Sequence, residues 1–317
     1  MLKSILVLLF SATIGLAQTQ TSPQSQSQTS GAQTQTAPQT QSQPSEPPPD
    51  TDIYVLDLTL KDGALQVGKA TNMTHRKGYD NQPSFFYDDE IFYTSIHDTQ
   101  ADIYAHNLRT KRLRQITKTP ESEYSPTLMP DQKFFSVVRV ETDKTQRLWK
   151  FPVDAGAPAL ILPNVKQVGY HVWADEDVVL LYILGPPSSL QFAKVDIGKV
   201  QRLTDNIGRC LQLVPDTSDA SFVQKNERDE WWIYQMNSKT LEKTELVKAL
   251  PTEEHDFTWL NDGTILMAQG SQLYRIKPNS GQDWTLVADF ASQGIHDITR
   301  LAVNSSDTRL ALVAADQ

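Results

Sequence analysis

"YDNQPSFFYDDEIFYTS", Tyr79–Ser95, is echoed further along by "EYSPTLMPDQKFFSVV", Glu123–Val138. Each copy has a polar start, a proline followed by Ser or Thr, an apolar pair, an aspartate, and then a run rich in aromatic and β-branched residues. The aspartate serves as a ruler. It stands at Asp88 and Asp131, then at Asp175 in "YHVWADEDVVLLYIL" and at Asp216 in "CLQLVPDTSDASFVQ". It returns at Asp262 in "HDFTWLNDGTILMAQ" and at Asp307 in "RLAVNSSDTRLALVA". The intervals are 43, 44, 41, 46 and 45 residues. A repeat of this length made of several short strands is the pattern of a β-propeller.

Working outward, each unit divides into four strands. After the aspartate come second strands such as "EIFYTS" (90–95), "KFFSVVRV" (133–140) and "TILMAQ" (264–269). Third strands follow, such as "DIYAHNL" (102–108) and "EWWIYQM" (230–236), and then fourth strands such as "RLRQIT" (112–117) and "VQRLT" (200–204). Polar turns separate these β-forming runs. The ruler aspartate is expected in the tight reversal between the first and second strands, where its carboxylate accepts backbone N–H groups. The two ends complement each other. "TDIYVLDL" (51–58) matches "ADIYAHNL" (101–108), so the folded part opens on a third strand, with "QVGKATNMT" (66–74) as its fourth. "ITRLAVNSS" and "TRLALVAA" near the C-terminus are first and second strands without successors. Joined, they complete one sheet and leave no open interface. The expected fold is all-β, a six-bladed β-propeller whose closing blade is shared between the N- and C-terminal strands.

The remaining sequence reads differently. Residues 1–17, "MLKSILVLLFSATIGLA", have Lys3, an apolar core and small residues at the end, the pattern of a secretory signal peptide. The apolar core is shorter than the roughly 20 residues a membrane span needs. Residues 18–50 are rich in Gln, Thr, Ser and Pro and offer almost nothing to bury, so they are expected to be a disordered spacer. The propeller takes residues 51–317. The formal net charge of −9 disfavours nucleic acid, whose phosphates call for a basic face. The single cysteine, Cys210, rules out a disulfide scaffold and is expected to be a small buried hydrophobe. Alternation along 230–236 puts Trp231 with Ile233 on one face and Trp232 with Tyr234 on the other, both faces packed between blades.

The paired phrases, the "DIY" strands starting at Asp52 and Asp102, and the "RQIT" and "QRLT" strand ends resemble the TolB-like family of six-bladed propellers. Pro83 and Pro126 match the proline of that family's repeat. Its full Ser-Pro-Asp-Gly turn survives only as "MPD", "VPD" and "NDG". The resemblance covers the whole of 51–317. It implies an exported propeller of the bacterial cell envelope, periplasmic, with secretion or the cell surface as the alternative, and a binding role toward an envelope protein or peptide.

No nucleophile elbow, phosphate loop, dinucleotide fingerprint or cysteine-based zinc spacing is present. The candidate site is the entrance to the innermost strands, which ring the central channel. The residues there are Tyr79 and Asp80, then Glu121, Glu123 and Tyr124, then Tyr170 and His171. Arg209 follows, then Glu254, His255 and Asp256, then His296 and Asp297. Two functions remain open for such a ring. The first is non-catalytic binding of a protein or peptide, with the tyrosines as anchors. The alternative is a hydrolase or lyase for a polar or sugar-like substrate, using the His/Asp pairs as bases or metal ligands. The first is the expectation, because no complete catalytic constellation is written. No cofactor is expected. The folded chain is expected to be a monomer without a membrane span once the signal peptide is removed.

Overall fold

A computed structural model describes residues 48–61 and 63–315. The expected signal peptide (1–17) and nearly all of the expected spacer (18–50) lie outside the described residues. Among the described residues, no helix is long and apolar enough to cross a membrane. The strands form six sheets, arranged as the repeat predicts. Blade 1 runs through Asp80–Tyr87, Glu90–His97, Gln100–Asn107 and Leu113–Gln115. Blades 2, 3, 4 and 5 begin at Ser122, Val168, Ile207 and Phe257, each with four antiparallel strands in sequence order from channel to rim.

Blade 6 is built from both ends of the propeller. Arg300–Val303 is its inner strand and Arg309–Ala315 its second. Thr51–Lys61 pairs with the latter in the register Thr51↔Ala315 to Asp57↔Arg309. Its outer strand is broken into Ala64–Val67 and Thr71–Asn72, where the sequence suggests one run over 66–74.

The blades stack through six apolar clusters, one for each interface. Phe86, Phe92 and Ile103 of blade 1 meet Phe135, Val137 and Phe151 of blade 2. Leu180 and Phe192 of blade 3 meet Phe222 and Met236 of blade 4. The expected alternation in 230–236 is seen here. Trp232 and Tyr234 pack toward blade 3, while Trp231 and Ile233 pack toward blade 5 beside the buried Cys210. The closing interface, between blades 6 and 1, has the leanest cluster: Ile53, Ile91, Tyr93, Ala311 and Val313.

Polar bonds explain the recurring motifs. In "DIY…IT", Thr117 Oγ1 donates to Asp102 (3.4 Å) and accepts the Ile103 N–H (2.8 Å). Thr74 does the same for Asp52 (2.7 Å) and Ile53 (3.0 Å). The outer strand is thereby anchored to the start of the third. Five of the six ruler aspartates divide into two groups. Asp131, Asp175 and Asp262 accept N–H groups of their own turns, as expected. Asp88 instead accepts from Asn304 and Ser305 of blade 6, and Asp307 accepts the Asn261 N–H of blade 5. For these two the local role is corrected: they tie one blade's turn to its neighbour's.

Candidate functional site at the channel mouth

The inner strands all start on one face of the ring. In three blades the first residue at the channel follows a glycine: Gly78-Tyr79, Gly169-Tyr170 and Gly208-Arg209. A Cβ at Gly169 would press on the Tyr182 ring, and one at Gly208 would fall inside van der Waals contact of Val223. Only glycine lets the backbone lie that close to the neighbouring strand, and this sets where Tyr170 and Arg209 point.

Six of the expected residues come together: Tyr79, Tyr124, Tyr170, Arg209, Glu254 and Asp256. Arg300, which the sequence reading missed, completes the group. Arg209 Nη1 pairs with Glu254 Oε2 at 2.5 Å, and its Nη2 donates to the Thr299 carbonyl at 2.9 Å. Arg300 Nη2 donates to Tyr170 Oη at 2.8 Å, and its guanidinium lies over the Tyr170 ring at 5.0 Å. Asp256 lies 3.8 Å from Arg300 and accepts the Leu301 N–H at 2.9 Å. Tyr170 belongs to blade 3 and Arg300 to blade 6, opposite members of a six-membered ring. Their bond is therefore a bar across the channel.

The electrostatics follow from burial against charge. Burial pushes the Tyr79 hydroxyl well above the usual phenol range, with Arg300 and Arg209 opposing. At Tyr170 burial pushes the same way, but Arg300 and Arg209 prevail and its pKa is lowered. Burial raises Asp256, again against both arginines.

The other expected residues go elsewhere, because successive strand residues point to opposite sides. Asp80 is buried under Ser95 Oγ (2.5 Å) and Arg76 Nη2 (2.8 Å). Glu123 is buried against Arg139 (3.0 Å) and accepts from Thr119, and burial raises its pKa to about 7. His171 Nε2 meets Ser136 Oγ at 2.6 Å between blades 2 and 3, and burial lowers its pKa to about 3. His255 lies against Trp231 with the ring centroids 4.6 Å apart and the planes tilted by 34°, and burial lowers its pKa to about 4. His296 and Asp297 are exposed. Of the expected channel-mouth residues, the tyrosines, Arg209 and Asp256 thus face the channel, while Asp80, Glu123, His171 and His255 turn into the blades and His296 and Asp297 stand exposed. Among the described residues no three His, Cys, Asp or Glu side chains are grouped to hold a metal ion.

Two cavities lie on the rim, away from this cluster. One of about 460 Å³ is lined by Trp232, Leu246, Pro251 and Trp284 at the blade 4/5 edge. The other, about 660 Å³, lies at the closing interface between Asp57, Met73, His106 and Arg309.

The fold is a six-bladed β-propeller of the TolB-like architecture. No family model and no curated protein sequence matches the chain. Among solved structures it is similar to a putative TolB from Agrobacterium tumefaciens, with TM-score 0.62 and 12% identity over 85% of this chain and 99% of that one. It is also similar to TolB from Acinetobacter baumannii, with TM-score 0.56 and 14% identity over 84% of this chain. The match spans 64% of the Acinetobacter protein's length. A chain of a nidogen/laminin complex gives TM-score 0.57 and 12% identity, over 84% and 99% of the two chains. At these identities the likeness is one of fold.

Proposed function

We propose that this propeller is an exported, non-catalytic module of the cell envelope that binds a protein or peptide at the channel mouth. The observation that carries the reading is the mouth itself. All six blades deliver a polar or aromatic side chain to one half-buried cluster on one face. Tyr and Arg, which dominate that cluster, are the side chains that most often anchor protein interfaces. The catalytic alternative has less support, since His171 and His255 lie buried between blades and His296 stands exposed. One of the similar structures is a nidogen/laminin complex, which agrees with a propeller serving as a protein-binding surface.

The test is site-specific photo-crosslinking of the full chain in envelope extract. A photoreactive residue is placed at Glu121 beside the mouth or at Ile197, an exposed position in a third-to-fourth-strand turn on the opposite face. A discrete product is expected only from the mouth, and the purified partner should bind Tyr124→Ala about 30-fold more weakly, as for a hot-spot tyrosine. Crosslinking from Ile197 alone would overturn the assignment.

A further inference from the structure

The ring at the mouth is lopsided. Blades 1, 2 and 3 contribute Tyr79, Tyr124 and Tyr170, while the charged groups all come from blades 4, 5 and 6. Within the charged half, donors exceed the acceptors that meet them. Arg209 spends its two terminal nitrogens on Glu254 and Thr299. Arg300 spends one on Tyr170, and its other lies 3.8 Å from Asp256, beyond hydrogen-bond reach. The Nε–H groups of both guanidiniums are buried and meet no acceptor among the described residues. Tyr170 takes the Arg300 N–H on its oxygen and so keeps its own proton to donate. A buried donor without an acceptor is costly, so the cluster is unbalanced in one direction only.

The local field has the same sign. At Tyr170 the two arginines outweigh both the burial of the phenol and the nearby Glu254. Two guanidiniums face two carboxylates here, so the surplus at the mouth is of N–H donors rather than of net charge. The Arg209 and Arg300 side chains keep 18% and 12% of their exposure while their Nε atoms are buried, so a ligand meets Nε only when the Arg300–Tyr170 bond gives way.

We propose that the group received at the channel mouth is a carboxylate of the bound polypeptide, carried either by its C-terminus or by an Asp or Glu side chain. This inference rests on the peptide-binding reading above. A guanidinium grips a carboxylate side-on through Nε–H and one terminal N–H, and Nε is the nitrogen that both arginines have uncommitted. The carboxylate exchanges the Arg300–Tyr170 bar for that two-point contact, and Tyr170 turns its hydroxyl proton to the same group. Glu254 and Asp256 hold the two cations oriented beforehand. The tyrosine half supplies flat apolar walls for the rest of the segment.

The experiment uses the full chain labelled with ring-13C tyrosine, the signals assigned by single Tyr→Phe replacements. Three probes are titrated at constant ionic strength beside a chloride control: acetyl-trialanine with a free carboxylate, its C-terminal amide, and acetyl-Ala-Asp-Ala-amide. The expected result is saturable shifts of the Tyr79 and Tyr170 signals with at least one carboxylate probe and none with the neutral amide or chloride. Shifts with the free C-terminus alone identify a chain end; shifts with both identify any carboxylate. Arg300→Gln should weaken the effect at least tenfold. Tyr170→Phe, a milder change that keeps the ring, should weaken it severalfold. Equal shifts with the neutral amide would overturn the carboxylate inference and leave peptide binding standing. An absence of shifts with every probe would also overturn it, and the crosslinking above then judges the binding reading separately.

Discussion

Tyr170 and His171 are neighbours in the chain and opposites in surroundings. The first leans into the channel between two arginines, and the second is held uncharged between blades 2 and 3. The buried histidines make stability depend on pH with a definite sign. His171 and His255 have pKa values lowered to about 3 and about 4, from 6.5 for the free side chain. The unfolded chain therefore binds these protons first. Their contribution is complete above about 6.5 and is lost as pH falls toward 4 and 3, at up to about 1.4 kcal/mol per pH unit for each. Glu123 works the other way. Its raised value of about 7 stabilises the fold at low pH and is lost as pH rises from 4.5. The informative comparison is thus between variants. Urea midpoints measured at pH 7.5, 6 and 5 should fall less steeply for His255→Asn than for the parent, Asn being tolerant of the left-handed φ of 49° at that position. Parallel profiles would contradict the assignment.

Among the elements, the tight turns show how one sequence signal serves two ends. The turn of blade 2 is self-contained, for Asp131 bonds only N–H groups of its own reversal. The turn of blade 6 is a junction. Asn304, only 2% exposed, donates to Asp88, Ser306 and Thr308 and accepts the N–H groups of Thr308 and Arg309. Asn304→Ala is expected to cost about 2–3 kcal/mol, because buried partners lose their bonds, while Asp131→Ala should cost under about 1 kcal/mol. Chemical denaturation of the two variants measures the difference, and similar costs would refute the distinction. The turns were legible in the sequence because their period is covalent and local. The mouth was legible only by place. Reading Tyr79-Asp80, Tyr170-His171 and His255-Asp256 as units ignored the alternation that sends the two members apart. Arg300 escaped notice because Ala291–Gln293 forms a short 3-10 turn ahead of it, which moves the strand start of blade 6 past His296 and Asp297. The glycines before Tyr79, Tyr170 and Arg209 were visible throughout and mark the channel position better than the histidines do.

At the scale of the whole molecule, the closing interface differs from the other five. Its apolar cluster is small, and polar bonds stand in for the missing area. Arg76 Nη2 alone reaches the Tyr79 and Ile96 carbonyls, Asp80 and Ser95. Thr51 Oγ1 donates to the Asp80 carbonyl, and on the opposite face Asn304 and Ser305 clasp Asp88. Arg76→Ala leaves the fully buried Asp80 carboxylate without its cation, so the expected cost is about 3–5 kcal/mol, far above that of an exposed ion pair. Urea unfolding of that variant checks it, and a loss below about 1 kcal/mol would mean the interface is held by its apolar residues after all. The shared blade has one more consequence. Thr51 and Ala315 are paired partners on adjacent strands, about 5 Å apart. The origin of the chain around this ring is therefore arbitrary. A circularly permuted sequence that starts at any rim hairpin would trace the same six blades, and the entire disc can be spliced into a loop of another protein through a single two-stranded neck.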